Sequence, residues 1–152
     1  MTSTPMDKAS IIESISTIFK GVDVQVPSRD DGSPEISWGD VFFFYSPDPN
    51  HRDRKFPFAT IVTKDYGDFD AASNLNRPGV FRLNIGIDRE TFHSKFGDDV
   101  SQFDFTALDL VMPHPVYSKQ HWICVLNPGR KTFQNIHPLL EAAHAIAVRK
   151  HS

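Results

Sequence analysis

The sequence predicts an α+β fold, a single domain whose mainly antiparallel sheet is packed by N-terminal and C-terminal helices. Three observations carry this. The stretch 80–87 alternates strictly, with Phe81, Leu83, Ile85 and Ile87 on one face and Val80, Arg82, Asn84 and Gly86 on the other. Helical apolar stripes occur near the two ends of the chain, with one short helix between them. The 152 residues include 13 Phe and 11 Pro, so the core is aromatic and the connections are rich in turns. A chain of this length forms one domain and buries roughly two-thirds of its unfolded surface.

In chain order, residues 1–6 read as a disordered tail preceding a single α+β domain over 7–150. Asp7 caps a helix over 8–20, with Ile11, Ile12, Ile15, Ile18 and Phe19 as its stripe and Gly21 as its stop. VDVQV at 22–26 is an edge strand. RDDGSPE turns the chain into a second short strand around Ile36–Trp38, giving a hairpin. DVFFFYS (40–46) and FPFATIV (56–62) are apolar on both faces, which places them inside a sheet.

The loop 65–79 is longer than usual connections, and loops of about 15 residues in a domain are commonly functional or disordered. Strand 80–87 runs into a short helix capped by Asp88 and stopped by Gly97. A helical turn is expected near Thr106–Leu110. LVMPHPVYSKQ is a proline-broken connector whose two X-Pro bonds keep it extended. HWICVLNP is the last strand, with Trp122, Cys124 and Leu126 on one face. TFQNIHPLLEAAHAIAVRK closes the chain as a helix docked by Leu139, Leu140, Ala143, Ile146 and Ala147, with Pro138 in its first turn.

The formal charge of −3 gives no global attraction for nucleic acid or anionic lipid. HRDRK at 51–55 is the one basic run, and its plainer meaning is a solvated loop tip. A single cysteine rules out an internal disulfide and fits a reducing compartment. The chain lacks an apolar run of the ~20 residues a membrane span needs, and its start lacks a signal-peptide pattern. A cytoplasmic protein is expected.

The polar face of strand 80–87 is the candidate site. Arg82 and Asn84 project the same way, and Gly86 leaves room beside them. A guanidinium next to an amide suits a carboxylate or phosphate, so a small-molecule or anionic ligand is expected, with Lys64, Tyr66, His114, Tyr117 and Trp122 as walls. The plainer alternative is that Arg82 pairs with an acid of the 65–70 loop and pins it. Asp65, Asp68 and Asp70 lack the spacing of a calcium loop. His137, Glu141 and His144 share a helix face without forming H-E-x-x-H, so no metal is assigned. Cys124, mid-strand, reads as a small buried hydrophobe. The chain lacks P-loop, G-x-G-x-x-G, G-x-S-x-G and C-x-x-C motifs, and no cofactor is expected.

FPFATIVTKDY, SNLNRPGVFRLNIGIDRETF, ALDLVMPHPVY and HWICVLNP together resemble an uncharacterised domain-of-unknown-function family frequent in actinobacteria, over roughly residues 40–147. More distantly, the order of elements is similar to MmcQ/YjbR-like proteins. That resemblance implies an antiparallel sheet backed by terminal helices, and a DNA-binding or resistance-associated role. The acidic loops, the negative net charge and the RDDGSPE insertion depart from it.

Three functions follow as expectations. The first is a small-molecule or anion-binding module at Arg82 and Asn84. The second is nucleic-acid binding through HRDRK, with Phe56 and Phe58 nearby, which the net charge disfavours. The third is an enzyme with His114 or His121 as base and Arg82 as clamp. A monomer is expected, or a homodimer through the edge strand 22–26.

Overall fold

A computed structural model describes residues 6–48, 56–97 and 102–151. The described residues form six strands, β1 (Val22–Gln25), β2 (Val41–Tyr45), β3 (Ala59–Val62), β4 (Arg82–Gly86), β5 (Val111–Pro113) and β6 (Trp122–Leu126). Four α-helices accompany them, α1 (Lys8–Ile18), α2 (Arg89–Phe96), α3 (Arg130–Asn135) and α4 (His137–His151). The strands make one sheet in the order β1-β2-β3-β4-β6-β5, and every neighbouring pair is antiparallel. No described helix is long and apolar enough to cross a membrane.

The helices cover one face of this sheet and loops cover the other. Val41 and Phe43 of β2, Ile61 of β3, Leu83 and Ile85 of β4, and Ile123 and Val125 of β6 point into the helix-covered core. There they meet Ile11 and Ile15 of α1, Phe92 of α2, Phe133 of α3, and Leu140 and Ala143 of α4. The opposite face carries a smaller cluster of Val62, Leu75, Met112, Cys124 and Leu126, sealed by the 65–79 loop and by Phe103 and Phe105. The period of two puts Arg82, Asn84, Thr60 and Trp122 on this second face, beside that cluster.

The caps read from sequence are in place. The Asp7 carboxylate accepts Ser10 N–H at 2.8 Å, and that of Asp88 accepts Thr91 N–H at 3.0 Å. Ile11, Ile15 and Phe19 are buried, but Ile18, expected in the same stripe, is 50% exposed. Met6 is tied to the domain, since its N–H donates to the Pro128 carbonyl at 3.2 Å.

Four expectations change. The strand around Ile36–Trp38 is instead a 3-10 turn over Glu35–Ser37, and β1 pairs with β2. The Ser37 hydroxyl bonds Pro34 O at 2.8 Å and the Trp38 indole donates to Ser33 O at 2.9 Å, so local side-chain bonds win over a ladder. The helical turn at 106–110 is a tight turn held by Asp104, whose carboxylate accepts Thr106 N–H at 3.0 Å. Asp109, at φ 58°, then bends the chain out of helix. The proline-broken connector contributes β5, where Pro113 is tolerated because β5 is an edge strand. The closing helix is two helices: Pro138 lacks the N–H that would bond Gln134, and the chain breaks at Ile136.

Gly21 sits at φ +70°, and a Cβ there would lie 2.7 Å from the Tyr45 ring. Gly21→Ala is expected to cost about 1–2 kcal/mol for the left-handed backbone alone, with displacement of Tyr45 adding to it. Urea denaturation measures the loss; an unchanged midpoint would show that the α1–β1 corner relaxes freely.

Candidate functional site

Arg82 stands at the centre of the loop-covered face with no exposed surface. A guanidinium has five N–H donors and cannot shed its charge, so burying it requires acceptors on several sides. Nε donates to Asn84 Oδ1 at 2.8 Å. Nη1 donates to Asp70 Oδ1 at 3.0 Å and to Ser73 Oγ at 3.1 Å. Nη2 donates to Asp70 Oδ2 at 2.5 Å, completing a bidentate ion pair. The second Nη2 hydrogen faces His114 Nε2 across 3.2 Å. Asn84 passes the network to the next strand, its Nδ2 donating to Thr60 Oγ1 at 3.0 Å.

This network fixes the long loop. Tyr66 N–H bonds Asp70 O at 3.0 Å, closing a tight turn that aims the Asp70 carboxylate inward. Asp65 accepts Leu75 N–H at 2.7 Å, and Asn76 accepts Asp65 N–H at 3.1 Å. Leu75 is thereby seated in the small core. A second buried acid, Asp40, accepts Thr63 N–H and hydroxyl at 2.9 Å each and the Tyr66 hydroxyl. Burial and the neighbouring Asp40 carboxylate push the Tyr66 phenol up, so it remains a donor.

Above the Arg82 network lies a cavity of about 610 Å³. Its floor is Arg82, Asp70, Asn84, Thr60 and His114, and its walls include Phe42, Val62, Tyr66 and Trp122. The lip carries Phe56, 77% exposed, and Phe69, 65% exposed. Phe69 meets Tyr117 edge to face at 6.1 Å, and Tyr117 lies against the His114 ring at 5.0 Å. Trp122 crosses Gly86 so closely that a Cβ there would fall 2.8 Å from the indole, so the glycine is what seats this wall.

Of the residues singled out by sequence, Arg82, Asn84, Tyr66, His114, Tyr117 and Trp122 line this cavity together. Lys64 does not: its ammonium donates to Trp38 O at 2.6 Å and pairs with Asp40 at 3.6 Å. Arg82 does pair with an acid of the 65–70 loop, Asp70. HRDRK lies outside the described residues. His121 meets Phe92 edge to face at 5.7 Å and is absent from the cavity lining. His144 Nε2–H donates to Lys20 O at 2.8 Å, and His137 pairs with Glu141 at 2.7 Å. Among the described residues no group of three or more His, Cys, Asp or Glu stands close enough to hold a metal ion.

Sequence reasoning missed Ser73, Thr60, the wall residue Phe42 and the lip residue Phe69, and it placed Phe56 beside HRDRK rather than at this cavity. Thr60 had one signal: it is the lone hydroxyl in an otherwise apolar strand.

His114 is 3% exposed, and its Nδ1 accepts the N–H groups of Val116 and Tyr117, both at 3.0 Å. Burial, then the Arg82 charge, push it down to about 3, with Asp70 opposing weakly. Cys124 is fully buried, its Sγ 3.7 Å from Pro113 O, and burial pushes the thiol up to about 12. It is a packed hydrophobe and not a nucleophile.

Two outcomes follow. Arg82→Met strands a buried carboxylate and is expected to cost about 3–5 kcal/mol in urea denaturation. Adding Asp70→Leu to that variant is expected to recover part of the loss; a double variant weaker than the single would refute the pairing. For His114, the folded form resists a proton that the unfolded chain takes up at its ordinary 6.5. Its contribution to stability is whole above that value and is lost as pH falls from there towards about 3. The slope in this window is about 1.4 kcal/mol per pH unit at most. His114→Asn is expected to flatten it, read from paired denaturation curves at pH 7.5 and pH 5.

The model of a family described as a family of unknown function (DUF6194) matches residues 6–152. No curated protein and no solved structure matches the chain. The stretches from FPFATIVTKDY to HWICVLNP fall inside the family match. From Met6 onward, therefore, this chain belongs to the family of unknown function DUF6194.

Proposed function

We propose that this protein is a small-molecule-binding module whose ligand lies in the cavity above Arg82. The observation that carries the reading is the combination of an aromatic lip and wall with one buried polar floor in a space of about 610 Å³. Ligand sites have this composition, mostly apolar with a few placed polar groups, and volumes of roughly 300–1,000 Å³. Exposed Phe56 and Phe69 support it too, because large aromatic rings held at the mouth of a hollow offer area to a partner that is itself flat.

The floor does not suit a bare anion. Its two charged groups, Arg82 and Asp70, cancel in a bidentate pair, and Lys64 is engaged elsewhere. Nor does it suit general-base catalysis. His114 lies within reach of Arg82, but its Nδ1 lone pair is committed to two backbone N–H groups. A side chain so engaged has no basic nitrogen to offer a substrate, and binding is the better description.

A thermal-shift screen of flat ring compounds tests this. A ligand at 100 times its dissociation constant adds about 2.7 kcal/mol, several degrees for a domain of this size. Phe69→Ala is expected to leave the unliganded protein within about 0.5 kcal/mol of wild type, as for an exposed side chain. The same change is expected to weaken binding roughly tenfold by removing one face of the lip. A blank screen, or hits indifferent to Phe69→Ala, would refute the assignment.

A further inference from the structure

The contact between Arg82 and His114 has a chemical peculiarity. Backbone N–H groups always carry their hydrogen, so His114 Nδ1, which takes two of them at 3.0 Å each, must be unprotonated. A neutral imidazole holds its proton on the other nitrogen. His114 Nε2 is therefore an N–H donor, and it stands 3.2 Å from Arg82 Nη2, which can only donate. Two buried donors face each other, and among the described residues neither of these two hydrogens has an acceptor. The protonated ring would worsen the conflict by adding a hydrogen at Nδ1 and a charge beside the guanidinium. Both donors lie in the floor of the same cavity.

Buried donors without acceptors are costly, and the cost disappears when one acceptor atom receives both. From this pair we infer that the ligand is a flat, uncharged ring compound bearing a carbonyl oxygen, which accepts simultaneously from His114 Nε2–H and Arg82 Nη2–H. This deepens the binding reading above and rests on it. A carbonyl oxygen has two lone pairs, one for each of these two N–H groups. Neutrality follows from the cancelled Arg82–Asp70 charge: a carboxylate would lose its hydration and meet no unpaired cation among the described lining residues. The ring then lies against Trp122 and Tyr117, reaching the lip at Phe69.

Three probes of one shape separate the parts of this inference: 2-acetylnaphthalene, 2-naphthoate and 2-isopropylnaphthalene, titrated by calorimetry. The acetyl compound is expected to bind wild type roughly tenfold more tightly than the isopropyl compound, and more tightly than the naphthoate. His114→Asn places Oδ1 where Nδ1 stood, keeping an acceptor for Val116 and Tyr117 N–H while deleting the Nε2 donor. It is expected to bring the acetyl and isopropyl compounds to within roughly threefold, whereas Phe69→Ala weakens both alike. Nitrogen-15 NMR of wild-type His114 is expected to show the Nε2–H tautomer, with that proton moving downfield when 2-acetylnaphthalene is added. This measurement holds even if the Asn variant fails to fold.

Equal affinity for the acetyl and isopropyl compounds would overturn the carbonyl assignment and leave the binding pocket standing. Preference for the naphthoate would overturn the uncharged ligand. An Nδ1–H tautomer would overturn the donor pair itself. Failure of all three probes beside a positive ring-compound screen overturns this inference alone; failure of both overturns the pocket as well.

Discussion

A permanently charged guanidinium in the middle of a sheet, with no solvent contact, has to be met by acceptors from whatever parts of the chain can reach it. Arg82 recruits Asp70 and Ser73 from the long loop and Asn84 from its own strand, and it abuts His114 beyond β5. These contacts tie the long loop and the segment after β5 to one side chain of β4, which sets how the loop-covered half of the molecule is arranged. Burial of an ion pair adds little net stability, because the dehydration of both charges consumes most of their attraction. Its effect here is on arrangement: the loop has one place where its inward acid finds a partner.

The two faces of the sheet thus follow different rules. On the helix side, Phe43, Ile61, Leu83 and Ile123 meet apolar helix stripes, and burial of hydrocarbon supplies the driving force. On the loop side the apolar cluster is small, and the covering segments are held by backbone N–H groups that donate to Asp65 and Asp40 and by Arg77, which donates to a backbone carbonyl. A loop fastened by polar contacts need not fill the space beneath it. The hollow over Arg82 lies beside this loop, whose Asp70 and Ser73 are tied to Arg82 and whose Leu75 is seated in the small core.

Much of this was legible in the chain, and the reason is period. Strand β4 alternates without interruption, so its polar face could be named from sequence, and the partner acid was among the three carboxylates Asp65, Asp68 and Asp70 of the loop that precedes it. What stayed hidden needed registry between strands. Thr60 looks like one polar residue in an apolar run until β3 is set against β4 with Thr60 opposite Asn84. Strand β5 was masked by Pro113, which reads as a breaker and is harmless at an edge. Ser73 lies in AASN, a segment without pattern, and only the buried charge gives it a purpose. The misplaced strand at 36–38 failed for a local reason, since Ser and Pro side chains bend their own backbone before any ladder can form.

The aromatic lip has an evolutionary consequence. Phe56 and Phe69 are largely exposed, and Tyr117 is 41% exposed, so their replacement barely touches the fold. The floor behaves oppositely, because Asp70 and Asn84 are both bound to Arg82, and a change at Arg82 strands them both. Divergence in such a molecule is channelled: the shape of the cavity mouth can drift one lip residue at a time, while the polar floor changes only through coordinated replacement. A lineage of these domains would therefore vary the mouth of the cavity around one constant polar floor.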